Sequence, residues 1–499
     1  MRKVTDSQLR LGAVHISRIQ FDLRSRDEIP KLLMGLQYIY CTPEVRDEVF
    51  DILEGIVPED KDANNGRPGM DLWKILVLGT IRLNCNWDYD KLQEIANNHK
   101  TLRQMLGHGA FDGDYVYALQ TLKDNVPLLT PEVLDQVNQI VVKTGHKLVG
   151  KKNEELRGRC DSFVVETDVH YPTDINLLFD AIRKVIVLIA SVCFSVGITT
   201  WRQSDHNIRK IKKLFRKAQN LKRSTSQTGE KKAARNNLII EAHQAYIALV
   251  TSFLARVYDT INTLRVGKLA TEEDLSEIEL YIKHAERQID QIKRRVVEGE
   301  KIPHSEKVFS IFEEHTEWIC KGKAGVPQEL GLKVCILEDQ YGFILHHRVM
   351  QKETDDQVAV PMIQGAKDRY PQLNTCSFDK GYYTPENRVE LSELLRTVIL
   401  SKKGRLSLVD QEIENSQEFI DGKKKHSAVE SAINALENHS LDCCPDHGID
   451  GFNRYVAISV LARNIQIFGN IIQKRRLDQQ KRLEGIHRKQ REKKYMRAA

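Results

Sequence analysis

Three carboxylates stand where a folded chain can bring them together. Asp161 lies in an apolar run typical of a strand, Asp379 ends another such run, and Glu430 lies in a segment whose apolar residues have helical spacing. Carboxylate oxygens are hard ligands that suit Mg²⁺ or Mn²⁺. Two such ions roughly 4 Å apart activate an attacking oxygen and stabilise the leaving oxygen in phosphoryl transfer. The three residues are therefore candidate metal ligands for phosphoryl transfer.

Each carboxylate also has an ordinary structural interpretation. Asp168 has strand neighbours as apolar as those of Asp161 and competes with it for the same role. Asp379 stands two residues before a glycine and fits a turn. Ser427 and Glu430 have the spacing of a capping box, in which the glutamate closes on the serine. Spacing alone leaves these alternatives open.

The surrounding pattern predicts an α/β fold. Runs rich in β-branched and aromatic residues predict strands at 160–169, 332–337, 343–350, 373–379 and 397–400. Helical spacing predicts helices at 355–369, 385–395, 426–438 and 452–473. The second and third strands are separated by a short linker that ends in Gly342, which predicts a hairpin. The order predicts a mixed five-stranded sheet, with three strands in a meander and two joined through helices.

Helical spacing dominates two further regions. Residues 1–150 predict an all-α N-terminal domain, in which Asp88 or Asp90 is a candidate helix cap. Apolar residues from Leu275 to Val296 form a heptad seam that predicts a helix, paired in an antiparallel hairpin with a helix over 236–264. The first predicted domain, 1–150, is helical and is expected to bind DNA and to recognise the terminal repeats. The other predicted domains are 151–180, first part of the α/β core; 181–305, helical insertion; 306–473, remainder of the core; and 474–499, basic tail.

Composition gives broader limits. The chain has 499 residues, and this length is too great for one ordinary hydrophobic core. Its net charge is +6, and 41% of its residues are hydrophobic. Its nine scattered cysteines show no framework spacing and predict a reducing compartment. No signal peptide is visible, and the most apolar stretch, 185–200, is shorter than the ~20 residues of a membrane span. Basic runs at 209–223 and 474–497 suit a polyanion, although either run alone is typical of a solvated helix face.

Other chemistries find less support. His439, Cys443, Cys444 and His447 suggest zinc, but adjacent cysteines seldom bind one ion and no second cysteine pair is present. The sequence contains no Walker motif, dinucleotide fingerprint or serine nucleophile elbow. Chemistry on ATP, NAD or acyl groups is therefore not supported.

Five segments together resemble bacterial insertion-sequence transposases of the DDE type. They are DSFVVETDVHYPTDINLL (161–178), FSIFEEHTEWICKGKAG (309–325), KVCILEDQYGFILHHRVM (333–350), SFDKGYYTPEN (377–387) and HSAVESAINALENHSLDCCPDHGIDGFNRYVAISVLARN (426–464). Residues 65–110 also resemble the helical N-terminal region of such enzymes. The resemblance runs from about 160 to 470. It implies a catalytic core with a ribonuclease H-like fold, which agrees with the predicted strand order.

The resemblance implies roles for individual residues. It favours Asp161 over Asp168, and it assigns Asp161, Asp379 and Glu430 as catalytic residues that bind two Mg²⁺ (or Mn²⁺) ions. Many related transposases carry a tyrosine and an arginine before the glutamate, whereas this chain has His426 at the arginine position. The insertion also lies between the first and second acids, whereas some relatives insert before the glutamate. The residues expected to contact DNA are Lys380, Lys402, Lys403, Arg405, Lys423, Lys424, Lys425 and His426.

The expected function is that of a metal-dependent DNA transposase. Water and then a DNA 3′-hydroxyl would attack phosphodiesters at the element ends and the target. The expected partners are double-stranded DNA, as terminal inverted repeats and target, and a second copy of the chain; the expected location is the bacterial cytoplasm, at the nucleoid, without a membrane. Three alternatives remain: a ribonuclease H-like nuclease without strand transfer, a catalytically inactive DNA-binding relative, and an interaction protein built on the 236–300 hairpin.

Overall fold

The computed structural model describes residues 2–5, 12–57, 69–109, 111–150, 154–223, 229–320 and 328–498, with the side chains of 222–223 and 489–498 outside the description. Parts of two segments used above, 65–68 and 321–325, therefore lie outside the described residues. The chain divides into two compact units. Unit 1 comprises Met1–Asp168 and Ile319–Ala499, and unit 2 comprises Val169–Trp318.

The strands and helices follow one another in this order along the chain. The α-helices are α1 (Glu28–Cys41), α2 (Pro43–Glu54), α3 (Leu72–Asn84), α4 (Tyr89–Asn98), α5 (Lys100–Met105), α6 (Leu119–Asn125), α7 (Pro131–Val149), α8 (Asp174–Ser195), α9 (Ser204–Arg223), α10 (Gly229–Val266), α11 (Glu272–Ile292), α12 (Asp355–Arg369), α13 (Pro385–Leu394), α14 (Leu408–Glu414), α15 (Gln417–His426), α16 (Ala428–Leu436) and α17 (Gly448–Ala498). The strands are β1 (Leu156–Thr167), β2 (Glu317–Cys320), β3 (Gln328–Glu338), β4 (Ile344–Met350), β5 (Leu373–Phe378), β6 (Thr397–Leu400) and β7 (Cys443–Cys444).

The strands form one mixed sheet, so the chain is an α/β protein as predicted. Its main order is β2-β3-β1-β5-β6, with β4 paired to β3 and β7 paired to β1. β3 runs antiparallel to both β1 and β4, which gives the predicted hairpin, whereas β5 runs parallel to β1 and β6. The short strands β2 and β7 were not predicted. They add to the five strands that the sequence pattern indicated.

The N-terminal helices and the sheet of unit 1 share one hydrophobic core. Helix α17 joins them, because it packs against α1, α3, α7 and β4. Two glycines permit the close crossing with α1: a Cβ at Gly35 would lie 2.6 Å from the Ile465 carbonyl oxygen, and one at Gly469 would overlap that of Lys31. The predicted boundaries at 150 and 473 therefore do not separate compact units. α17 also continues through the segment predicted as a basic tail.

A buried asparagine adds a polar link within this core. Asn464 on α17 accepts a hydrogen bond from the backbone N–H of Ile344 at 2.9 Å, and its side-chain amide donates to the oxygen of Asn138 at 2.7 Å. Buried polar groups need such partners, because an unsatisfied one costs about 1–3 kcal/mol. The contact connects α17, β4 and α7 in one defined arrangement.

Unit 2 is built from α8 to α11 around a core of its own. It extends beyond the predicted insertion at 181–305, because α8 already begins at Asp174. The seam residues of α11 are buried as predicted, and Thr271 caps this helix by accepting from the N–H of Asp274 at 3.1 Å. However, α11 packs more extensively against α8 than against α10. The simple α10–α11 hairpin is thus only part of a four-helix arrangement.

Among the residues that the structure describes, two helices are long and apolar enough to cross a membrane by length and composition alone. They lie in Gly229–Val266 and Gly448–Arg488, where 39% and 78% of the most apolar window, respectively, is buried inside the protein. In α17 the apolar residues form part of the core of unit 1.

Candidate active site

Asp161 and Asp379 lie side by side on neighbouring strands. The preceding residues, Cys160 of β1 and Phe378 of β5, are paired in a parallel ladder. Asp161 is half-buried within β1, whereas Asp379 directly follows β5 and is exposed. Asp379 stands at the start of a short 3₁₀ turn but makes no capping hydrogen bond there. Its carboxylate is therefore not occupied by the turn that the alternative interpretation offered for it.

Glu430 approaches from the helix α16, which packs against β1. The capping box predicted as the alternative does not form, because Ser427 has helical backbone angles and makes no capping hydrogen bond. Its hydroxyl instead donates to the carbonyl of Lys424 at 2.9 Å. In the described part of the chain, the exposed Glu430 carboxylate has no hydrogen bond or ion pair. Glu430 is thus free to interact with a ligand.

A fourth carboxylate, Asp355, joins the group and was not predicted. It begins α12, accepts a hydrogen bond from the Ser162 hydroxyl at 2.6 Å, and binds the Lys333 ammonium at 3.0 and 3.2 Å. A Cβ at Gly381 would lie 3.3 Å from a carboxylate oxygen of Asp355 and 3.7 Å from one of Asp379. Both acids therefore flank the same small space beside Gly381. Sequence spacing gave no signal for this, since Asp355 resembles any acidic residue in the first turn of a helix.

The carboxylates affect one another electrostatically. The pKa of Asp161 is raised to about 6, mainly by burial and also by the charges of Asp379, Asp355 and Glu430, whereas the hydrogen bond from the Ser162 N–H lowers it. That N–H donates to Asp161 at 2.8 Å. Unlike charges would have lowered the pKa, so the site holds an excess of negative charge. Within the described residues, however, no group of three or more His, Cys, Asp or Glu side chains is placed to hold a metal ion together.

Asp168, the rival of Asp161, lies away from this group. It follows the end of β1, is exposed, and donates its backbone N–H to the carbonyl of Cys444 at 3.3 Å. Burial, with the charge of Asp168 as the next cause, raises the pKa of Cys443 to about 11. Asp168 is not among the charges that shift the pKa of Asp161. Geometry thus agrees with the choice of Asp161.

The basic residues expected to contact DNA differ in their availability. Lys402 binds Asp410 at 2.5 Å, Lys403 donates to the Gly381 carbonyl at 2.7 Å, and Lys423 donates to the Ser401 hydroxyl at 3.2 Å. Four of the residues expected to contact DNA are exposed and have no ion pair or side-chain hydrogen bond within the described ranges. They are Lys380, Arg405, Lys424 and Lys425.

His426 is not a simple replacement for an arginine. Burial lowers its pKa, so the imidazole is neutral at pH 7 even though Asp379 and Glu430 act in the opposite direction. Its Nδ1 lies 3.0 Å from the hydroxyl of Ser377, on β5 two residues before Asp379. His426 therefore connects the end of α15 to β5 but adds no positive charge.

The histidines and cysteines between His439 and His447 that suggested zinc do not form a metal site in the described part of the chain. Cys444 is buried in β7 beside β1, and His439 contacts the backbone carbonyl of Asn84. Cys443 neighbours Cys444 in the same two-residue strand. These residues help to pack the region after α16.

Comparisons of the chain with protein-family models, with curated proteins and with solved structures found no match.

Proposed function

We propose that this protein is a DNA transposase that cleaves phosphodiesters at the ends of an insertion sequence and joins them to target DNA. One observation carries the proposal: Asp161, Asp379 and Glu430 come from two paired parallel strands and from a helix packed on the first of them. The same three residues were assigned by the resemblance to DDE transposases. Long segments of the chain separate the three acids, so their proximity depends on the fold and not on the local sequence.

The strand order supports a ribonuclease H-like core as part of the proposal. Through the pairs β4–β3, β3–β1, β1–β5 and β5–β6, five strands follow the spatial order β4-β3-β1-β5-β6. Only β3 runs against its neighbours on both sides. This is the meander followed by two crossover strands that the sequence indicated, and it places the first and second acids on adjacent strands.

The chemistry of the donors fits divalent cations. Carboxylate oxygens are the ligands that Mg²⁺ and Mn²⁺ prefer, and a cation would offset the negative charges of Asp379, Asp355 and Glu430 that act on Asp161. The three carboxylates do not point toward one common position. Asp379 and Glu430 are exposed, however, so their side chains can rotate toward an ion without disturbing the packing around them. Asp161, Asp379 and Glu430 would hold the ions. Bound ions would promote ionisation of the attacking hydroxyl and stabilise the leaving oxygen.

The chain itself contributes position and charge. Above about pH 6 Asp161 is ionised and available as a ligand. Asp355 is paired with Lys333 and accepts from Ser162, so it acts as a positioning residue that ties β1 to α12. The unpaired cations Lys380, Lys424 and Lys425 supply positive charge for DNA phosphates next to the acids. Cutting two ends and joining them to one target requires at least two copies of the chain.

Nicking of a supercoiled plasmid that carries the element ends tests the proposal. We expect Mg²⁺-dependent cleavage that EDTA abolishes, and a loss of at least about 100-fold in Asp161→Asn, Asp379→Asn and Glu430→Gln, because even outer residues of metal sites are worth 10–100-fold. Asp168→Asn is the matched control and retains cleavage. Precleaved ends should also yield strand-transfer products, which a simple nuclease would not give.

A second candidate is a DNA-binding relative without catalysis. It is favoured by the absence, among described residues, of side chains already placed to share a metal ion. Tight binding to the element ends without nicking in Mg²⁺ or Mn²⁺ would establish it and contradict the transposase proposal.

A further inference from the structure

A basic cleft of about 530 Å³ opens between the sheet and α15 in unit 1. Its charged lining consists of Arg157, Arg159, Arg396, Lys425, Glu418 and Asp421. Cations thus outnumber acids two to one. A polar cleft with this excess of positive charge is suited to an anion.

Both acids of the cleft accept hydrogen bonds from neighbouring side chains, whereas two of its four cations have no side-chain partner among the described residues. Glu418 accepts from Thr397 at 3.1 Å and Asp421 from Gln417 at 2.8 Å. Arg396 pairs with Glu155 at 2.8 Å. The guanidinium of Arg157 and the ammonium of Lys425 have no ion pair or side-chain hydrogen bond within the described chain, and both are exposed.

Arg159 is the inner cation of the cleft. It lies 2.8 Å from Glu338, but burial raises the pKa of Glu338 to about 7, so this partner is only partly ionised at neutral pH. The Nε of Arg159 is buried and has no hydrogen-bond partner in the structure. A buried unsatisfied donor costs free energy until an acceptor reaches it. The Arg159 guanidinium also donates to the backbone carbonyl of Asp339, so Arg159 adds a firmly held positive charge to the lining of the cleft.

The cleft continues directly from the carboxylates. Alternate residues of a strand share a face, so Arg157, Arg159 and Asp161 lie in a row along β1, with about 7 Å between successive members. Ser377 of β5, which also lines the cleft, lies two residues before Asp379, and Lys425 is the penultimate residue of α15, five residues before Glu430 of α16. Along the chain, the residues that line the cleft therefore come shortly before each acid.

The wall opposite the sheet is held firmly. A Cβ at Gly422 of α15 would overlap the side chain of Ile399 on β6, so this helix lies directly on the strand. Phe419 of α15 is buried on the same helix. The cleft is thus a preformed feature of the packing of α15 on the sheet.

We infer that this cleft binds backbone phosphates of the same DNA strand whose scissile phosphodiester lies at the carboxylates. The inference rests on the proposed function and extends it to the position of the strand. A DNA strand that runs from Asp161 along this row passes its neighbouring phosphates over Arg159 and then Arg157. The cleft residues are positioning residues. They hold the strand in register and take no part in the bond exchange.

Binding measurements with neutralised phosphates test this inference. The probe is a fluorescent duplex with the precleaved element end, measured by anisotropy in EDTA so that no cleavage occurs. Methylphosphonate replaces one phosphate at a time at successive positions from the reacting end. The variant is Arg157→Ala/Lys425→Ala, whose residues are exposed and unpaired. The charge-matched control is Arg287→Ala/Lys283→Ala, from exposed positions of α11 in unit 2.

We expect the cleft variant to bind roughly 10-fold more weakly than wild type, with a salt slope smaller by about 1.4–1.8, since each phosphate contact contributes about 0.7–0.9. Methylphosphonate at one or two phosphates nearest the scissile position should weaken the wild type and have no added effect on the variant. Equal methylphosphonate effects in both proteins, or wild-type affinity of the variant, would overturn the inference. So would saturable binding of inorganic phosphate in the micromolar range that the variant loses, since this would identify a free-phosphate site.

The outcome is separate from that of the proposed function. Asp161→Asn should bind the probe like the wild type, since Asp161 carries no contact in the cleft. If nicking depends on Asp161 but the cleft variant binds DNA as tightly as the wild type, the transposase proposal stands and only the inference about the cleft is rejected. If methylphosphonate weakens binding of the wild type but not of the cleft variant, and no nicking occurs, the inference about the cleft stands. The protein would then be the inactive DNA-binding relative.

Discussion

The hydroxyl of Ser162 donates a 2.6 Å hydrogen bond to Asp355, so the residue after Asp161 ties β1 to the first turn of α12. Adjacent strand residues point to opposite faces of a sheet. Asp161 and Asp355 therefore act on the site from opposite sides of β1. The negative charge of Asp355 nevertheless raises the pKa of Asp161.

Asp355→Asn should move the acid limb of the cleavage pH profile to lower pH. The change removes one of the charges that raise the pKa of Asp161, so Asp161 stays ionised at lower pH. The measurement is the nicking rate in Mg²⁺ between pH 5 and pH 8. Asp356→Asn, one residue along the same helix, is the control and should leave the profile unchanged. An acid limb at the same pH in both variants would show that Asp355 does not act through Asp161.

Asp161→Asn should stabilise unit 1 at pH 8 in EDTA, by roughly 1–3 kcal/mol. The pKa of Asp161 is about 6 in the folded protein, above the ordinary value of 3.8, so the folded state binds the proton more tightly. Stability therefore falls as pH rises from about 4 to about 6, and the loss persists above that range. Asparagine is never ionised and avoids this loss.

Thermal unfolding at pH 4 and pH 8 measures that effect. The variant and the wild type should unfold at similar temperatures at pH 4, and the variant at a higher temperature at pH 8. Mg²⁺ should narrow the difference at pH 8, because a ligand that binds only the folded state stabilises it. Equal unfolding temperatures at pH 8 in EDTA would contradict the electrostatic description of the site.

Ser427→Ala should change the free energy of unfolding by less than about 0.5 kcal/mol, because this serine forms no cap. Ser407→Ala is the matched comparison. Ser407 accepts from the N–H of Asp410 at 3.2 Å in a complete capping box, and its loss should cost about 1 kcal/mol. Both values come from thermal unfolding. Similar losses for the two serines would mean that Glu430 is held by a capping box after all.

Gly469→Ala should destabilise unit 1 by about 1–3 kcal/mol or prevent folding, because the added methyl group would overlap the carbonyl of Lys31. Gly485→Ala lies on the same helix and has no neighbouring atom within 4 Å of its added Cβ. It should be neutral or stabilise the helix by up to about 1 kcal/mol. Urea unfolding followed by circular dichroism measures both, and equal effects would contradict the close crossing of α1 and α17.

The sequence predicted individual helices and strands better than the contacts between elements that are far apart in the chain. Runs rich in β-branched and aromatic residues were enough to indicate β1, the β3–β4 hairpin and β5, and helical spacing gave α12 at its observed bounds. The cap at Asp88, which accepts from the N–H of Lys91 at 2.7 Å, was also one of two candidates. These features depend on interactions between residues that are near in sequence.

Features that depend on distant residues were missed. Asp355 joins the acids because a hydroxyl of β1 and an ammonium of β3 reach it, and no short motif records such a meeting. The N-terminal helices were expected as a separate domain, but the glycines of α1 and α17 permit a close crossing that merges their cores. Ser427 and Glu430 have capping-box spacing, yet the preceding helix α15 imposes helical backbone angles on Ser427.

The crossing of α1 and α17 also has a consequence during translation. Glu28 of α1 contacts Gln466 of α17, and the two residues are 438 positions apart. At about 5–20 residues per second, the ribosome needs on the order of 20–90 s between them. During that interval the apolar face of α1 lacks its main cover, while unit 2 is emerging as one continuous stretch. Helix α1, the first α-helix to leave the ribosome, is therefore among the last to be fully buried.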